Sequence, residues 1–178
     1  MSQIKVFFLD RDGVINKEVN YLYKKENFIF IDGLFKALNQ VSNLGFKLII
    51  ITNQSGISRG LYSKEEFETL TSWMIREFKK NDIDILDVFY CPHGPEDNCN
   101  CRKPKPGLFI QATNKYDINI SESWMIGDSE RDIIAAQLAG INNTVIVRSG
   151  HKIDESSTQA RFILDSIKDL HQLEDYLE

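Results

Sequence analysis

Chemically capable side chains fall into four short stretches of the 178-residue sequence. They are Asp10-Arg11-Asp12-Gly13, Thr52-Asn53-Gln54-Ser55-Gly56, Arg102-Lys103-Pro104-Lys105 and Gly127-Asp128-Ser129-Glu130-Arg131-Asp132. Clustered carboxylates repel one another and favour a hard cation such as Mg²⁺. A hydroxyl, neighbouring amides and a lysine suit the oxygens of a phosphate. Two carboxylates two residues apart share a neighbourhood but differ in orientation, so one can attack while the other handles protons. Taken singly, each stretch has a plainer reading. A D-x-D can be a solvated turn, TNQSG a helix cap and RKPK a basic loop. GDSERD can be a helix N-terminus whose acids match the helix dipole. Joint occurrence favours chemistry, provided one fold brings the four together.

All three cysteines lie between 91 and 101, in YCPHGPEDNCNCRKPKPG. Cys91-x-His93 and Cys99-x-Cys101 offer three thiolates and one imidazole, the donor set of a closed structural zinc site. Their spacing is tighter than in the usual fingers. A redox pair more typically shows C-x-x-C, and buried packing fits poorly with a stretch so rich in Pro, Gly, Asn, Asp and Glu. Cys101 adjoins Arg102 and Lys103, so zinc there would pin an irregular loop and aim both cations. In that reading zinc is a scaffold and magnesium serves the chemistry.

These residues need elements to hold them, and the chain alternates. Strands are predicted at Ile4–Leu9, Phe46–Thr52, Leu86–Tyr90, Ser123–Asp128 and Asn143–Arg148, with one more short strand in RFILDS. Helical spacing links Leu34, Leu38, Val41 and Leu44, and Gly45 closes that run. A capping box at Ser63 and Glu66 opens a helix through Phe67, Leu70, Met74 and Phe78. Further helices are predicted at 107–116, at 131–138 and over the last ten residues. Alternating strands and helices predict the α/β class: a doubly wound, Rossmann-like parallel sheet with helices on both faces. The sequence reads as one domain, 1–178, with no separate cap domain and with a zinc-bound loop. In such sheets ligands bind beyond the carboxyl ends of the strands. Three of the four stretches directly follow predicted strands. The segments 16–32 and 91–106 lack strong pattern, and long loops in a compact domain are usually functional.

Composition excludes several classes. With 42% apolar and 26% charged residues the chain reads as an ordinary globular protein. Its net charge of -5 argues against nucleic-acid and anionic-membrane partners, both of which want a basic face. No apolar run approaches the ~20 residues of a membrane span, and MSQIKVFFLDRDG does not read as a signal peptide. A cytoplasmic location and reduced thiols are expected. A monomer is expected as well.

FFLDRDGVIN, ITNQSGI, CRKPKPG and MIGDSERD resemble, in order, the four motifs of the haloacid-dehalogenase-like phosphatases. With FIFIDG, NQSGISRG, FYCPH and VIVRSG, nearly the whole chain resembles the bacterial D,D-heptose 1,7-bisphosphate phosphatases and their histidinol-phosphatase relatives. The resemblance implies that Asp10 is the nucleophile and forms an aspartyl-phosphate. Asp12 protonates the leaving alkoxide and then activates water. Thr52 and the amides near Asn53, with Gln54 and Ser55, hold the phosphate, and Lys103 neutralises it. Mg²⁺ is held by Asp10, the Asp12 carbonyl and Asp128, with Asp132 acting through water. The same group carries a C-x-H…C-x-C zinc loop. The implied substrate is a phosphorylated sugar of lipopolysaccharide-core synthesis.

Without a cap, selectivity falls to loops. Arg59 and Arg102 are the candidates for a second anionic group on the substrate, and a plain surface arginine is the other reading of Arg59. Histidinol-phosphate phosphatase is the rival within the class. Outside it stand a receiver-like signalling domain and a zinc interaction module. A receiver would place its phospho-accepting Asp after the third strand, which here ends Phe89-Tyr90-Cys91, and the intact Asp10/Asp12 pair speaks against the module.

Overall fold

Residue alternation along the strands builds two cores, one on each side of a single sheet. The computed structural model describes residues 3–177. Its strands are β1 (Val6–Leu9), β2 (Lys47–Asn53), β3 (Ile85–Cys91), β4 (Trp124–Gly127), β5 (Asn143–Val147) and β6 (Phe162–Leu164). All pair in parallel, in the order β3-β2-β1-β4-β5-β6. Successive side chains on a strand point to opposite faces. Thus Phe7, Leu9, Leu48 and Ile50 enter one core, while Val6, Phe8, Ile49 and Ile51 enter the other. Buried on both faces, these strands are near-continuous apolar runs, as parallel sheets require.

Two helices cover the first core. α1 (Leu34–Asn43) contributes Leu34, Ala37, Leu38 and Val41, and α2 (Lys64–Lys80) contributes Leu70, Met74 and Phe78. The predicted capping box opens α2: Ser63 Oγ accepts from Glu66 N at 3.1 Å, and Ser63 N donates to Glu66 Oε2 at 2.8 Å. α3 (Gly107–Lys115) and α4 (Glu130–Leu138) cover the second core through Leu108, Phe109, Ala112, Ala135 and Ala136. Each fully buried Leu, Ile or Phe contributes about 1.5–3 kcal/mol, so both faces resist displacement of the strand ends.

The chain's end departs from expectation. The predicted terminal helix is largely a 3-10 turn, Ile167–Leu173, followed by one α-turn, α5 (Glu174–Leu177). Ile167, Leu170 and Leu173 are buried there. Their three-residue spacing matches the three-per-turn 3-10 period. β3 also runs one residue further than predicted at each end, so Cys91 is its last residue and lies beside Asn53 of β2.

The strand order reverses between β1 and β4, where crossovers leave toward opposite ends of the sheet. That reversal opens a crevice at the carboxyl ends, the usual ligand position in doubly wound sheets. Asp10 follows β1 and Asp128 follows β4, one on each side of it.

Candidate active site

A cavity of about 340 Å³ occupies this crevice. Asp10, Asp12, Asn53, Gln54, Ser55, Arg59, Arg102, Lys103, Asp128 and Asp132 all line it, although they come from segments far apart in sequence. Thr52 is buried and does not line the cavity itself; its hydroxyl accepts a hydrogen bond from Gln54 Nε2, a lining residue, at 2.9 Å.

Lys103 sits at the centre of the floor, 2% exposed. Its Nζ contacts Asp10 Oδ1 at 3.0 Å, Asp132 Oδ1 at 2.6 Å and the Ile51 carbonyl at 2.8 Å. Burial works against its charge, but Asp10 and Asp132 raise its pKa, so it stays cationic. The carboxylates answer in kind. Burial foremost, then Asp132, raises the pKa of Asp10 against the pull of Lys103. Asp10 Oδ1 also accepts from Arg11 N at 2.8 Å, while Oδ2 has no donor among the described residues. Oδ2 is therefore unencumbered.

The Asn53 side chain is committed to the backbone of Lys103. Its Oδ1 accepts from Lys103 N and its Nδ2 donates to Lys103 O, each at 3.1 Å. This pair locks the backbone of Lys103 to the end of β2. Asp132 is equally committed: Oδ2 accepts from Asp128 N and Ser129 N at 3.1 Å each, which caps α4. The helix-cap reading and the site reading of GDSERD are thus compatible, because the cap fixes the carboxylate that meets Lys103.

Ligand atoms of Asp10, Asp128 and Asp132 lie within 4.8 Å of one another. Three carboxylates against one ammonium leave a surplus of negative charge. A hard divalent cation fits that surplus and an all-oxygen donor set. Gly13 makes the packing possible. Its φ is +83°, which favours glycine, and a side chain there would overlap the Asp128 carboxylate.

Ligand atoms of Cys91, His93, Cys99 and Cys101 also gather within 4.8 Å of one another. Sulfur–sulfur separations are 3.0 Å for Cys91–Cys101 and 3.6 Å for Cys91–Cys99. His93 Nδ1 lies 3.3 Å from Cys101 Sγ and 3.5 Å from Cys91 Sγ. A tetrahedral ion with bonds of about 2.0–2.3 Å needs edges of roughly 3.5–3.8 Å, so the cluster fits zinc with small adjustment. The loop is stitched to the segment after β2: Gln54 N donates to Cys91 O at 2.7 Å and Ser58 N to Pro92 O at 3.1 Å. Arg102 Nη1 donates to His93 O at 3.1 Å.

Arg59, Arg102 and Arg131 line the cavity beside the acidic floor, and Arg11 lines it too. Burial first, then Arg131, lowers the pKa of Arg102. Arg59 lies 5.9 Å from the ring of Tyr21.

Residues 100–170 match the protein family described as "HAD-hyrolase-like". Over 166 residues the chain is 46% identical to D-glycero-alpha-D-manno-heptose-1,7-bisphosphate 7-phosphatase of Photorhabdus laumondii, covering 89% of this chain and 91% of that protein. It is 40% identical to the D-glycero-beta-D-manno-heptose-1,7-bisphosphate 7-phosphatase of Escherichia coli K12, covering 96% and 94%. The chain belongs to this family of heptose-bisphosphate phosphatases. It is a phosphoric monoester hydrolase. The crystal structure of D,D-heptose 1,7-bisphosphate phosphatase from B. bronchiseptica, complexed with magnesium and phosphate, superposes with a TM-score of 0.85 at 29% identity, covering 97% of this chain and 99% of that one.

The phosphatase site also contains residues that sequence reasoning missed. His151 N and Nδ1 meet Asp128 Oδ2 at 2.9 and 2.6 Å. Although burial opposes it, Asp128 raises the pKa of His151. The signal existed: His151 closely follows β5, so the strand-end rule that found Asp10 and Asp128 would have found it. Glu18 and Tyr62 line the cavity from loops, where no periodic pattern marks a residue. Asn16 supports the site from beneath, with Nδ2 donating to Asp12 Oδ1 at 3.0 Å.

Proposed function

We propose that this phosphatase removes the C7 phosphate of D-glycero-D-manno-heptose 1,7-bisphosphate, through an aspartyl-phosphate on Asp10, in the supply of lipopolysaccharide-core precursor. The observation that carries this reading is the unencumbered Oδ2 of Asp10, a residue that lines the same cavity as Asp12, Lys103 and Asp128. The Asp10 carboxylate attacks phosphorus, and the bond from phosphorus to the sugar oxygen breaks. Asp12 gives that oxygen its proton. A water then attacks the aspartyl-phosphate, Asp12 takes the water's proton, and Asp10 is released with inorganic phosphate. Thr52 and the main-chain amides near Asn53, in the stretch through Gln54 and Ser55, border the transferred group, while the side chains of Asn53 and Gln54 hold Lys103 and Asp12; Lys103 offsets the charge of the group.

Asp10, the Asp12 carbonyl and Asp128 would hold Mg²⁺, with Asp132 acting through water. Bound there, the ion would supply charge compensation between two mutually repelling anions, the nucleophile and the phosphate. Zinc on Cys91, His93, Cys99 and Cys101 would be structural. Arg102 and Arg59 would face the second phosphate of the bisphosphate. The chain, 1–178, works as one domain and as a cytoplasmic monomer. No helix among the described residues is long and apolar enough to cross a membrane.

The test is turnover of both anomers of heptose 1,7-bisphosphate beside histidinol phosphate, with and without Mg²⁺. The expected result is Mg²⁺-dependent release of one phosphate per sugar, with the highest kcat/KM on a heptose bisphosphate. A preference for histidinol phosphate would overturn the substrate. Elemental analysis of protein purified without added metal should find one zinc per chain; a value near zero with all three thiols freely titratable would refute the zinc site.

A further inference from the structure

Asp12 Oδ1 accepts from Arg11 Nη2 at 2.9 Å and from Asn16 Nδ2 at 3.0 Å. A carboxylate offers about four acceptor sites, two on each oxygen, so Oδ1 is filled. Oδ2 accepts a single bond among the described residues, from Gln54 Nε2 at 3.2 Å. One acceptor site of Oδ2 stays open.

The Gln54 amide is itself fixed from behind. Nε2 has two N–H groups: one goes to Asp12 Oδ2 and the other to Thr52 Oγ1 at 2.9 Å. Oε1 accepts from the Tyr62 hydroxyl at 2.5 Å. A carbonyl oxygen cannot donate, so Tyr62 must. The reversed amide would set Oε1 against Asp12 Oδ2, two acceptors facing each other. Tyr62 is 5% exposed and stacks on Tyr23, with ring centroids 5.5 Å apart. Its ring lies so close to Gly56 that any side chain there would overlap it. Burial pushes the Tyr62 hydroxyl up to about 12, so it keeps the proton it donates.

We propose that Tyr62 and Gln54 form a positioning relay that fixes the orientation of Asp12 and reserves one acceptor site of its Oδ2 for the proton moved in the reaction. This rests on the reading of Asp12 as the acid and base. Neither residue touches the reacting phosphorus in this role, so Gln54 acts through Asp12 and Tyr62 acts through Gln54. Proton delivery matters for an alkoxide leaving group and little for a phenolate that leaves unprotonated. The relay should therefore show in the contrast between the two.

The experiment measures kcat/KM, which reports the first irreversible step, on heptose 1,7-bisphosphate and on p-nitrophenyl phosphate. General acid–base catalysis contributes ~10²–10⁴-fold, and misorientation forfeits part of it. Tyr62→Phe and Gln54→Leu should each lower kcat/KM on the sugar ester by about 10-fold, mainly through kcat, and on the aryl ester by a much smaller factor. Tyr62→Phe with Gln54→Leu should be no worse than Gln54→Leu alone, because one acts through the other. Equal losses on both esters would overturn the relay and mark Gln54 as a phosphate ligand or a packing residue. Additive losses would overturn it too. Asp12→Asn separates the layers. If it shows the sugar-over-aryl bias and Tyr62→Phe does not, only the relay fails; if Asp12→Asn shows no bias, the acid reading fails and the relay with it.

Discussion

Asp10 and Asp128 leave strands in which every residue is buried, whereas the cysteine loop leaves β3, an edge strand most of whose residues are only partly buried. The floor inherits its precision from two packed cores. Displacing Asp10 would mean displacing β1, which is flanked by β2 and β4 and covered on both faces. The loop has no core of its own. Its order comes from four side chains that share one centre, from the packing of Cys91, Cys99 and Cys101 against the second core, and from a few bonds to the segment after β2. Lys103 belongs to both worlds: it is carried by the loop, yet its ammonium is buried in the floor. Substitutions in the floor should therefore remove chemistry and spare the fold. Substitutions in the loop should remove chemistry by misplacing it.

Asp10→Asn tests the floor and carries the largest expected effect. Turnover should fall by ~10⁴-fold or more, since loss of a nucleophile removes the covalent route outright. The circular-dichroism spectrum should remain native, because the β1 core residues are untouched. Near-normal rates in this variant would break the covalent mechanism, and unfolding would break the claim that the floor's fold and chemistry separate.

Cys101→Ala tests the loop. It would leave three ligands and loosen the tether immediately before Arg102 and Lys103. A misplacement of about 1 Å in a positioning group can cost ~100-fold, so kcat/KM should fall by that order. Zinc content should drop, most of the far-UV signal should persist, and added Mg²⁺ should not restore the rate. Wild-type kinetics would make the cluster irrelevant to the site. Global unfolding would make it a requirement of the whole fold, and the contrast between floor and loop would collapse.

The same contrast explains what was legible beforehand. The strands of the floor announce themselves as apolar runs, and the catalytic candidates follow them directly, so the α/β layering and the floor carboxylates could be read in advance. The loop was legible only in its ligand types, since nothing periodic marks Cys91–Pro106. Asn53 and Gln54 could be located, but the partners of their side chains could not. The partner of each, Lys103's backbone for one and Tyr62 with Asp12 for the other, is set by tertiary approach rather than by neighbours in sequence. Tyr62 closely precedes the Ser63 cap of α2, and no pattern distinguishes a buried hydroxyl donor there from an ordinary aromatic. The 3-10 end of the chain was missed because Ile167, Leu170 and Leu173 also satisfy part of an α-helical stripe.

The smallest effect should come from the stalk of the loop. Asp87 on β3, the strand entering the loop, accepts from Lys115 Nζ at 2.7 Å and from the Tyr116 hydroxyl at 2.9 Å. Lys115 ends α3, the helix leaving the loop. The pair thus ties the strand that enters the loop to the helix that leaves it, without touching any of the four cluster residues. Burial raises the pKa of Asp87, but the bonds from Lys115, Val88 N and Tyr116 outweigh it, and the folded-state value lies below the ordinary aspartate range. A depressed folded pKa adds stability above the unfolded-state pKa. That stability is lost as pH falls through the folded value. Because Lys115 is largely exposed, the contribution should be small, about 0.5 kcal/mol. Asp87→Asn should therefore lower the free energy of unfolding in urea by that order at neutral pH. The difference from wild type should shrink in acid. Activity should stay within about two-fold of wild type, because Lys103 is held by Asn53, Asp10 and Asp132 and not by the stalk. A loss approaching that of Cys101→Ala would show that the stalk holds the loop in place, and the four-ligand centre would no longer be needed to explain the order of the loop.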